Sequence, residues 1–285
     1  MNIFINNKPA QITLDTEKTL ADVMTGIEQW ISPTGNRILN IKVNDSIIAE
    51  DSLAETLGID IEKISKLEVF ISPWRALAAE ALEKLHETCI SYGKADFNER
   101  KQIIEDWEKS PAARFLTSDI PDLYKLAALT FSGEGLLASD FTALIQERQR
   151  EIASPELEIE NSETQVRVLT ERMVEFPLDM QTGKDERAAE TMQLFSRVGE
   201  KLFRIFFIYK SEGLLADTFC IDNLPVKVFM DEFNSAMVEL SEAYKNQDTV
   251  LIGDIAEYEI APRLLNLYTA LKSIVKSDFP VVSAF

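Results

Sequence analysis

The chain has 285 residues, of which 46% are apolar and 9% aromatic, a composition typical of a folded globular protein rather than a disordered one. Its formal net charge is −19, and the acidic residues are spread along the chain instead of gathered in a tail. Binding to DNA, RNA or an anionic membrane surface depends on clustered lysine and arginine. We therefore expect no nucleic acid among the partners.

Cysteine usage and hydropathy predict a soluble cytoplasmic protein. The two cysteines, Cys89 and Cys220, lack the spacing of a metal or redox motif, and isolated thiols are typical of a reducing compartment. No basic run followed by an apolar core marks a signal peptide. The most apolar stretch, residues 202–209, contains Arg204 and is far shorter than the roughly 20 residues of a membrane span. We expect no membrane insertion.

The first 72 residues alternate between short β-type runs and helical patterns. Asn6-Asn7 and Asn44-Asp45 are turn-favouring pairs, and Thr19 is a suitable N-cap for a helix that residues 33–36 end. In chain order, the predicted elements are strands at 2–5 and 11–14, a helix at 20–31, strands at 38–43 and 46–49, a short helix at 52–58 and a strand at 66–71.

This order of elements resembles the ubiquitin-like β-grasp family over residues 1–72. Conjugating and sulfur-carrier members of that family end in a free Gly-Gly, whereas here the last strand runs on through residues 71–74 without one. The resemblance therefore implies an adaptor that presents a sheet face or edge to partners, and not transfer chemistry. The alternative is that the small domain serves only to pack on the helices that follow.

The remainder, residues 73–285, is predicted to be helical. Ser72 is read as an N-cap followed by Pro73 at the first helical position, which places the domain boundary there. Residues 153–163 are read as a connection between two halves, with Ser162 opening a capping box, and Pro262 as a kink. The predicted helices cover 74–92, 97–108, 123–131, 141–152, 166–176, 185–210, 226–245 and 249–271. The fold class is α+β, a small β-grasp domain before an all-α body of antiparallel helix hairpins.

A repeated pentapeptide suggests duplication within the helical body. Glu-Gly-Leu-Leu-Ala occurs at residues 134–138 and again at 212–216. For residues this common, one chance match of this kind is roughly a one-in-ten event. Two weaker echoes, of a Gly-Lys pair and of a spaced Tyr-Asp-Ile-Glu pattern, accompany it. We read these as recurring helix hairpins, and the body as two repeated units divided near residue 153.

Two apolar features are candidate partner-binding sites. The helix at 185–210 is apolar nearly all round its last turns, so it is either central to a bundle or covered by a partner. In the second case Phe203 and Phe207 line a groove for an amphipathic helix of another protein. The tail, residues 278–285, either packs on the body or forms a short motif whose terminal Phe285 a partner captures.

Metal chemistry is a weaker alternative. His86 and Cys89 lie three apart on one helix, but the chain has a single histidine. Asp254 and Glu257 form, with Glu259, the densest acidic group on a predicted helix, the first two on one face. Carboxylate-bridged di-metal bundles use two Glu-x-x-His pairs, which this chain cannot supply. A metal-dependent enzyme using Asp254, Glu257 and His86 remains the rival hypothesis.

The sequence favours a protein that binds proteins and is not an enzyme. There is no Gly-x-Ser-x-Gly elbow, no phosphate-binding loop and no dinucleotide fingerprint, so no catalytic residue, metal ligand or cofactor is assigned. The later helices, with residues 243–248 leading into 258–262, resemble small bacterial helical chaperones of the flagellar-export kind. We expect a cytoplasmic adaptor or secretion-type chaperone with a protein partner. The third alternative is a structural subunit that forms a homo-oligomer through Phe203 and Phe207.

Overall fold

The computed structural model describes residues 1–14, 16–48, 50–215, 218–246 and 248–276. The chain forms two compact units. The first consists of Met1–Ala153 and Lys210–Gly213, and the second of Ser154–Tyr209 and the described residues from Leu214 onward. A small N-terminal mixed sheet precedes a helical body, which confirms the α+β class. The boundary predicted at residue 72 and the duplication of the body stay predictions.

The N-terminal sheet is mixed and has the strand order β2-β1-β5-β3-β4. Its central strands β1 and β5 run parallel, while β1–β2, β3–β5 and β3–β4 are antiparallel pairs. The five strands are β1 (Asn2–Ile5), β2 (Lys8–Pro9), β3 (Asn36–Val43), β4 (Ser46–Ile47) and β5 (Lys66–Pro73).

Two tight turns set the register of the outer strands. Asn6 and Asn7 have φ of 47° and 65°, and Asn44 and Asp45 have 49° and 66°. Two consecutive left-handed residues form the two-residue turn that suits the twist of a β-hairpin. The predicted turns are thus confirmed, but the strand predicted at 11–14 was wrong. Because the turn reverses the chain within two residues, pairing starts at once and β2 is already complete at Pro9.

One helix covers the inner face of the sheet. Helix α1 (Leu20–Ile31) starts at Thr19 with a capping box in which Thr19 and Asp22 exchange hydrogen bonds. The Asp22 carboxylate accepts from the amides of Lys18 and Thr19, which lowers its pKa. The buried side chains of α1 form one core with those of the sheet: Ile3, Leu20, Val23, Ile27, Ile31, Ile41, Val43, Leu67 and Val69. A 3-10 turn at Ser32–Thr34 ends the helix, and α2 (Glu50–Leu57) and a 3-10 turn at Ile61–Lys63 precede β5.

The first unit continues with antiparallel helices. Ser72 is not an N-cap as predicted, because it pairs with Arg37 in the sheet, and β5 leads directly into the first of them. The carboxylate of Asp119 accepts hydrogen bonds from Arg37 Nε at 3.1 Å and from Trp74 Nε1 at 3.0 Å, which joins sheet and helices. The helices are α3 (Trp74–Lys94), α4 (Phe97–Glu108), α5 (Pro111–Asp119), α6 (Pro121–Ser132) and α7 (Ala138–Ala153). Helix α5 was not predicted.

Two glycines bring backbone against backbone within the first unit. Gly35 and Gly213 have φ of 73° and 69°. A Cβ atom on Gly35 would overlap the backbone of Glu212, and one on Gly213 would overlap the carbonyl oxygen of Pro33. The Glu212 carboxylate also forms a two-point ion pair with Arg75, in which Nη2 donates to Oε2 at 2.6 Å. The segment Lys210–Gly213 is therefore held by steric fit and by charge.

The second unit is a helix bundle with one small hairpin. Residues 153–163, predicted to connect two halves, include the point between Ala153 and Ser154 where the two units divide, but they are mostly helical. Pro155 starts a short helix, and the Ser162 Oγ donates to the Glu158 carbonyl at 2.7 Å instead of capping the next helix as predicted. The helices are α8 (Pro155–Asn161), α9 (Glu163–Gln181), α10 (Asp185–Ser211, whose last two residues belong to the first unit), α11 (Val226–Lys245), α12 (Thr249–Asp254) and α13 (Ala261–Lys276). Strands β6 (Cys220–Ile221) and β7 (Leu224–Pro225) form the hairpin.

The helix predicted at 249–271 is distorted before Pro262. Residues Ile255–Ile260 form π-helical turns between α12 and α13. Proline lacks the amide that would bond to the carbonyl four residues earlier, at Tyr258. The Tyr258 carbonyl, which lacks this hydrogen bond, lies within the π-helical turns. The missing hydrogen bond is the physical cause of the distortion predicted at Pro262.

The two pentapeptides differ in backbone conformation. Both follow a helix, α6 in the first copy and α10 in the second. In the second copy Gly213 has the left-handed conformation, whereas near the first copy that conformation belongs to Gly133, which precedes the pentapeptide and lies two residues before the matching Gly135. Ala216, the last residue of the second copy, lies outside the described residues. The two matching glycines, Gly135 and Gly213, therefore have different backbone conformations.

No helix within the described parts of the chain combines the length and the apolar character that crossing a membrane requires.

Candidate protein-interaction face

The outer face of the N-terminal sheet carries a row of side chains that crosses all five strands. Phe4 of β1 pairs with Pro9 of β2 on one side and with Glu68 of β5 on the other. Lys42 of β3 then pairs with Glu68 and with Ile47 of β4. Directly paired residues point to the same face of a sheet. The five residues therefore form one row, on the face opposite α1.

Apolar side chains on this row are accessible. Ile47 is 68% exposed, one of the highest values among the large apolar residues of the described chain. Phe4 lies in the row, and Phe70 follows two residues after Glu68 on β5, hence on the same face. Both rings are half-buried, and neither belongs to the core between α1 and the sheet. The face thus offers apolar surface that the domain's own core does not use.

Three charged groups are joined on this face. The Lys66 ammonium lies 2.8 Å from the Asp45 carboxylate and 3.2 Å from that of Glu68. Hydrogen bonding to Asp45 and Glu68 raises the pKa of Lys66, and the bond from Lys66 lowers the pKa of Asp45. Glu68 itself is buried between its neighbours. Lys66 therefore neutralises the one carboxylate at the centre of the row.

The two lysines also lie over the two aromatic rings. The Lys66 Nζ is 5.4 Å from the centroid of the Phe4 ring, and the Lys42 Nζ is 5.0 Å from that of Phe70. These distances are within the range of cation–π attraction. Among the residues that the structure describes, Lys42 has no carboxylate within ion-pair distance. One ammonium group beside exposed apolar surface is therefore available to a ligand.

The edges of the sheet are poorly suited to adding a strand from a partner. Edge strands β2 and β4 are each two residues long, and β2 contains Pro9, which lacks an amide donor. Short edges and proline are features by which proteins prevent edge-to-edge pairing. Of the two surfaces that the sequence suggested, face and edge, the geometry favours the face.

The structure places the predicted groove residues in different environments. Phe203 is half-buried on α10, and its ring packs 5.3 Å from that of Phe233. Phe207 is 56% exposed and contacts the edge of the neighbouring Phe206 ring at 5.6 Å. Phe285 lies outside the described residues. A partner-binding role for these three residues stays a prediction.

His86 and Cys89 make separate contacts with α7. The His86 Nε2 lies 3.4 Å from the side-chain nitrogen of Gln146. Cys89 is fully buried: its Sγ donates to the Ala138 carbonyl and accepts from the Thr142 hydroxyl, both at 3.4 Å. Burial raises the pKa of the Cys89 thiol. Its surroundings thus favour the neutral thiol over the metal-binding thiolate.

The acidic group near residue 257 consists of Asp254 at the end of α12 and of Glu257 and Glu259 in the π-helical turns that follow. Tyr258 is 64% exposed, and its hydrogen bond to Glu257 raises its pKa, with a smaller contribution from the charge of Asp254. The Glu259 carboxylate pairs instead with Arg263. Within the described ranges there is no group of three or more histidine, cysteine, aspartate or glutamate side chains that could hold a metal ion.

Sequence reasoning missed the residues of the outer face. Alternation along the predicted strands separates Glu68 and Phe70 from the core positions Leu67 and Val69, so the face itself was readable. The sequence did not show which of these residues become neighbours across strands. That depends on the register between β1 and β5, which are more than sixty residues apart in sequence.

Two stretches of the chain match protein-family models. Residues 1–73 match the TP0873 N-terminal domain, and residues 159–270 match a domain of unknown function (DUF8042). The first match covers the whole N-terminal sheet, and the second runs from the end of α8 into α13. No curated protein and no solved structure matches the chain. The first match is consistent with a small N-terminal β domain.

Proposed function

We propose that this protein is a non-enzymatic cytoplasmic adaptor that binds another protein through the outer face of a β-grasp domain. The β-grasp assignment is supported by the strand order β2-β1-β5-β3-β4, by the parallel central pair and by the single helix across the inner face. The absence of an enzymatic role is inferred from the sequence, which has one histidine and no nucleophile or phosphate-binding motif.

The observation that carries the proposal is the row across the outer face. It places an exposed Ile47 and the rings of Phe4 and Phe70 around a buried, neutralised carboxylate. Aromatic side chains are enriched in protein–protein interfaces relative to the rest of a protein surface. A sheet face that served only its own domain would gain nothing from exposing Ile47.

The chemistry of the face selects the ligand. Lys42 lies between Ile47 and the ring of Phe70 and has no ion-pair partner among the described residues. A segment that places an apolar side chain against Ile47 and a carboxylate beside Lys42 satisfies both groups. We therefore infer an acidic-apolar segment of a partner protein as the ligand.

A displayed random peptide library tests this chemistry. Selection on the full-length chain, with counter-selection on Ile47→Asp, is expected to enrich peptides that combine an apolar residue with a neighbouring Asp or Glu. Both Ile47→Asp and Lys42→Glu are expected to weaken the selected peptides by about tenfold or more, because each places a negative charge where the ligand must fit. Binding is measured by fluorescence anisotropy.

Trp30→Glu is the matched control for this test. Trp30 is 62% exposed, close to the value for Ile47, but lies on α1, on the opposite side of the domain. We expect this variant to bind the selected peptides as the unmodified chain does. Peptides that Ile47→Asp binds equally well would show that the outer face is not the contact surface. Enrichment of basic peptides would contradict the acidic-apolar ligand inferred for it.

A further inference from the structure

A small pocket with both apolar and polar lining lies in the first unit, between α4 and α6. Its volume is about 170 Å³, and most of its lining residues are aromatic or aliphatic. The rings of Trp107 and Phe131 meet edge to face, with centroids 6.5 Å apart, and both residues are otherwise buried. The lining residues are Ile104, Trp107, Glu108, Tyr124, Ala128, Phe131 and Ser132. A pocket of this size and composition fits a single aromatic side chain.

The same helix presents an aromatic side chain with no cover of its own. Phe97, the first residue of α4, is 86% exposed, more than any other large apolar residue in the described chain. Ile104 and Glu108, which line the pocket, follow it at i+7 and i+11. At 3.6 residues per turn these three residues lie on one stripe of the helix. The exposed ring and the pocket therefore face the same side of α4.

We propose that two copies of the chain associate through antiparallel α4 helices, with Phe97 of each copy inserted into the α4–α6 pocket of the other. Phe97 and Trp107 are ten residues apart, which is about 15 Å along a helix. A two-fold axis close to Gln102 places Phe97 opposite Trp107 of the second copy. The same axis places the second copy's Phe97 opposite the first pocket, so one operation satisfies both sites.

Charge on the flank of this stripe complements such a pair. Lys101 and Glu105 lie on the same flank, and neither has an ion-pair partner among the residues that the structure describes. In an antiparallel pair, like flanks of the two helices face each other. Since Lys101 lies opposite position 103 of the second copy, its ammonium is within reach of Glu105 there. Two such ion pairs form by symmetry, and they oppose the parallel arrangement.

A second copy is a better occupant than an unrelated helix. The anchor and the pocket lie on one helix at the spacing that a two-fold axis requires, and the flanking charges match under the same axis. This surface lies in the helical part of the first unit and shares no residue with the outer face of the sheet. Self-association and partner binding can therefore be tested independently of each other.

Sedimentation velocity of the full-length chain tests the proposal. Over roughly two orders of magnitude in concentration, the weight-average mass is expected to rise from monomer toward dimer. Phe97→Asp is expected to weaken this association by about tenfold or more, because it removes a central aromatic anchor. Its exposure means that folding does not depend on it. Leu137→Asp, at a residue 72% exposed in the same unit, and Ile47→Asp are expected to dimerise normally.

Charge reversal tests the orientation of the two helices. Lys101→Glu and Glu105→Lys are each expected to weaken dimerisation, since each places like charges in contact. The double variant is expected to recover it, because the ion pairs re-form with opposite polarity. A monomer at every concentration would overturn the proposal. So would a dimer that Phe97→Asp leaves unchanged, or a double variant no better than either single one.

Discussion

Replacing Gly213 by alanine is expected to lower the free energy of unfolding of the first unit by about 3 kcal/mol or more. The residue has φ of 69°, and a Cβ atom there would overlap the Pro33 carbonyl oxygen. That oxygen belongs to the backbone and has no rotamer by which to move away. The new methyl group must therefore separate the Lys210–Gly213 segment from the turn that contains Gly35.

The three tryptophans make this measurement specific. Trp30, Trp74 and Trp107 all lie in the first unit, so tryptophan fluorescence in a denaturant titration reports that unit alone. Gly133→Ala is the matched control, because Gly133 has φ of 81° but open space around it. Gly133→Ala is expected to lower the free energy of unfolding by about 1 kcal/mol, the cost of holding alanine at a positive φ. Equal losses in the two variants would show that the contact with Pro33 does not matter.

Gly253→Ala is expected to destabilise the second unit by about 2 kcal/mol, since adding atoms to a packed contact forces its neighbours apart. A Cβ atom on Gly253 would lie 2.7 Å from the Cβ of Pro177 and 2.9 Å from its Cγ. Pro177 is inside α9, and its ring is rigid. Helices α9 and α12 must therefore separate to accept the methyl group.

Gly199→Ala gives the comparison for the second unit. Gly199 is buried within α10, but the nearest atoms to its added Cβ, on Leu264 and Phe195, are 4.0 Å away. Because the methyl group fits and alanine favours the helix, we expect a gain of about 0.5–1 kcal/mol. The second unit has no tryptophan, so its unfolding is followed as the part of the far-ultraviolet circular dichroism change that does not coincide with the tryptophan fluorescence transition of the first unit. If Gly253→Ala and Gly199→Ala both stabilised the second unit, the close approach between Gly253 and Pro177 would be contradicted.

Local signals were enough to predict most of the N-terminal domain. Asn6-Asn7 and Asn44-Asp45 are turn residues because their short polar side chains tolerate a left-handed backbone, and both pairs adopt it. The N-cap at Thr19 was predictable for a similar local reason, because its hydroxyl oxygen accepts a hydrogen bond from the backbone amide of Asp22. The wrong strand at 11–14 has a non-local cause, since pairing across the turn is complete at Pro9.

Errors in the helical region came from reading polar composition as loop. Residues 153–163 contain four glutamates and two serines, yet Pro155 sits at the first position of a helix, where its missing amide costs nothing. Ile159, fully buried, anchors that short helix to the core of the second unit. Ser72 failed as a cap because pairing with Arg37 extends β5 through it. In both places tertiary contacts outweighed the local pattern.

The candidate face could not be predicted from any single stretch of the sequence. Phe4, Lys42 and Glu68 become neighbours only when three strands from distant parts of the chain are aligned in register. A shift of one residue would turn each of them to the core side of the sheet. The Phe97 stripe, in contrast, follows from helical spacing alone. Only the pocket beside this stripe depends on how α4 packs on α6.

Affinity capture from the lysate of the native organism tests the outer face as the contact surface most directly. Full-length protein, Ile47→Asp and Trp30→Glu are used as parallel baits, and the captured proteins are quantified by mass spectrometry. We predict one stoichiometric partner that the unmodified chain and Trp30→Glu retain equally and that Ile47→Asp loses by about tenfold or more. A partner retained by Ile47→Asp at the unmodified level, or no partner on any bait, would contradict the account.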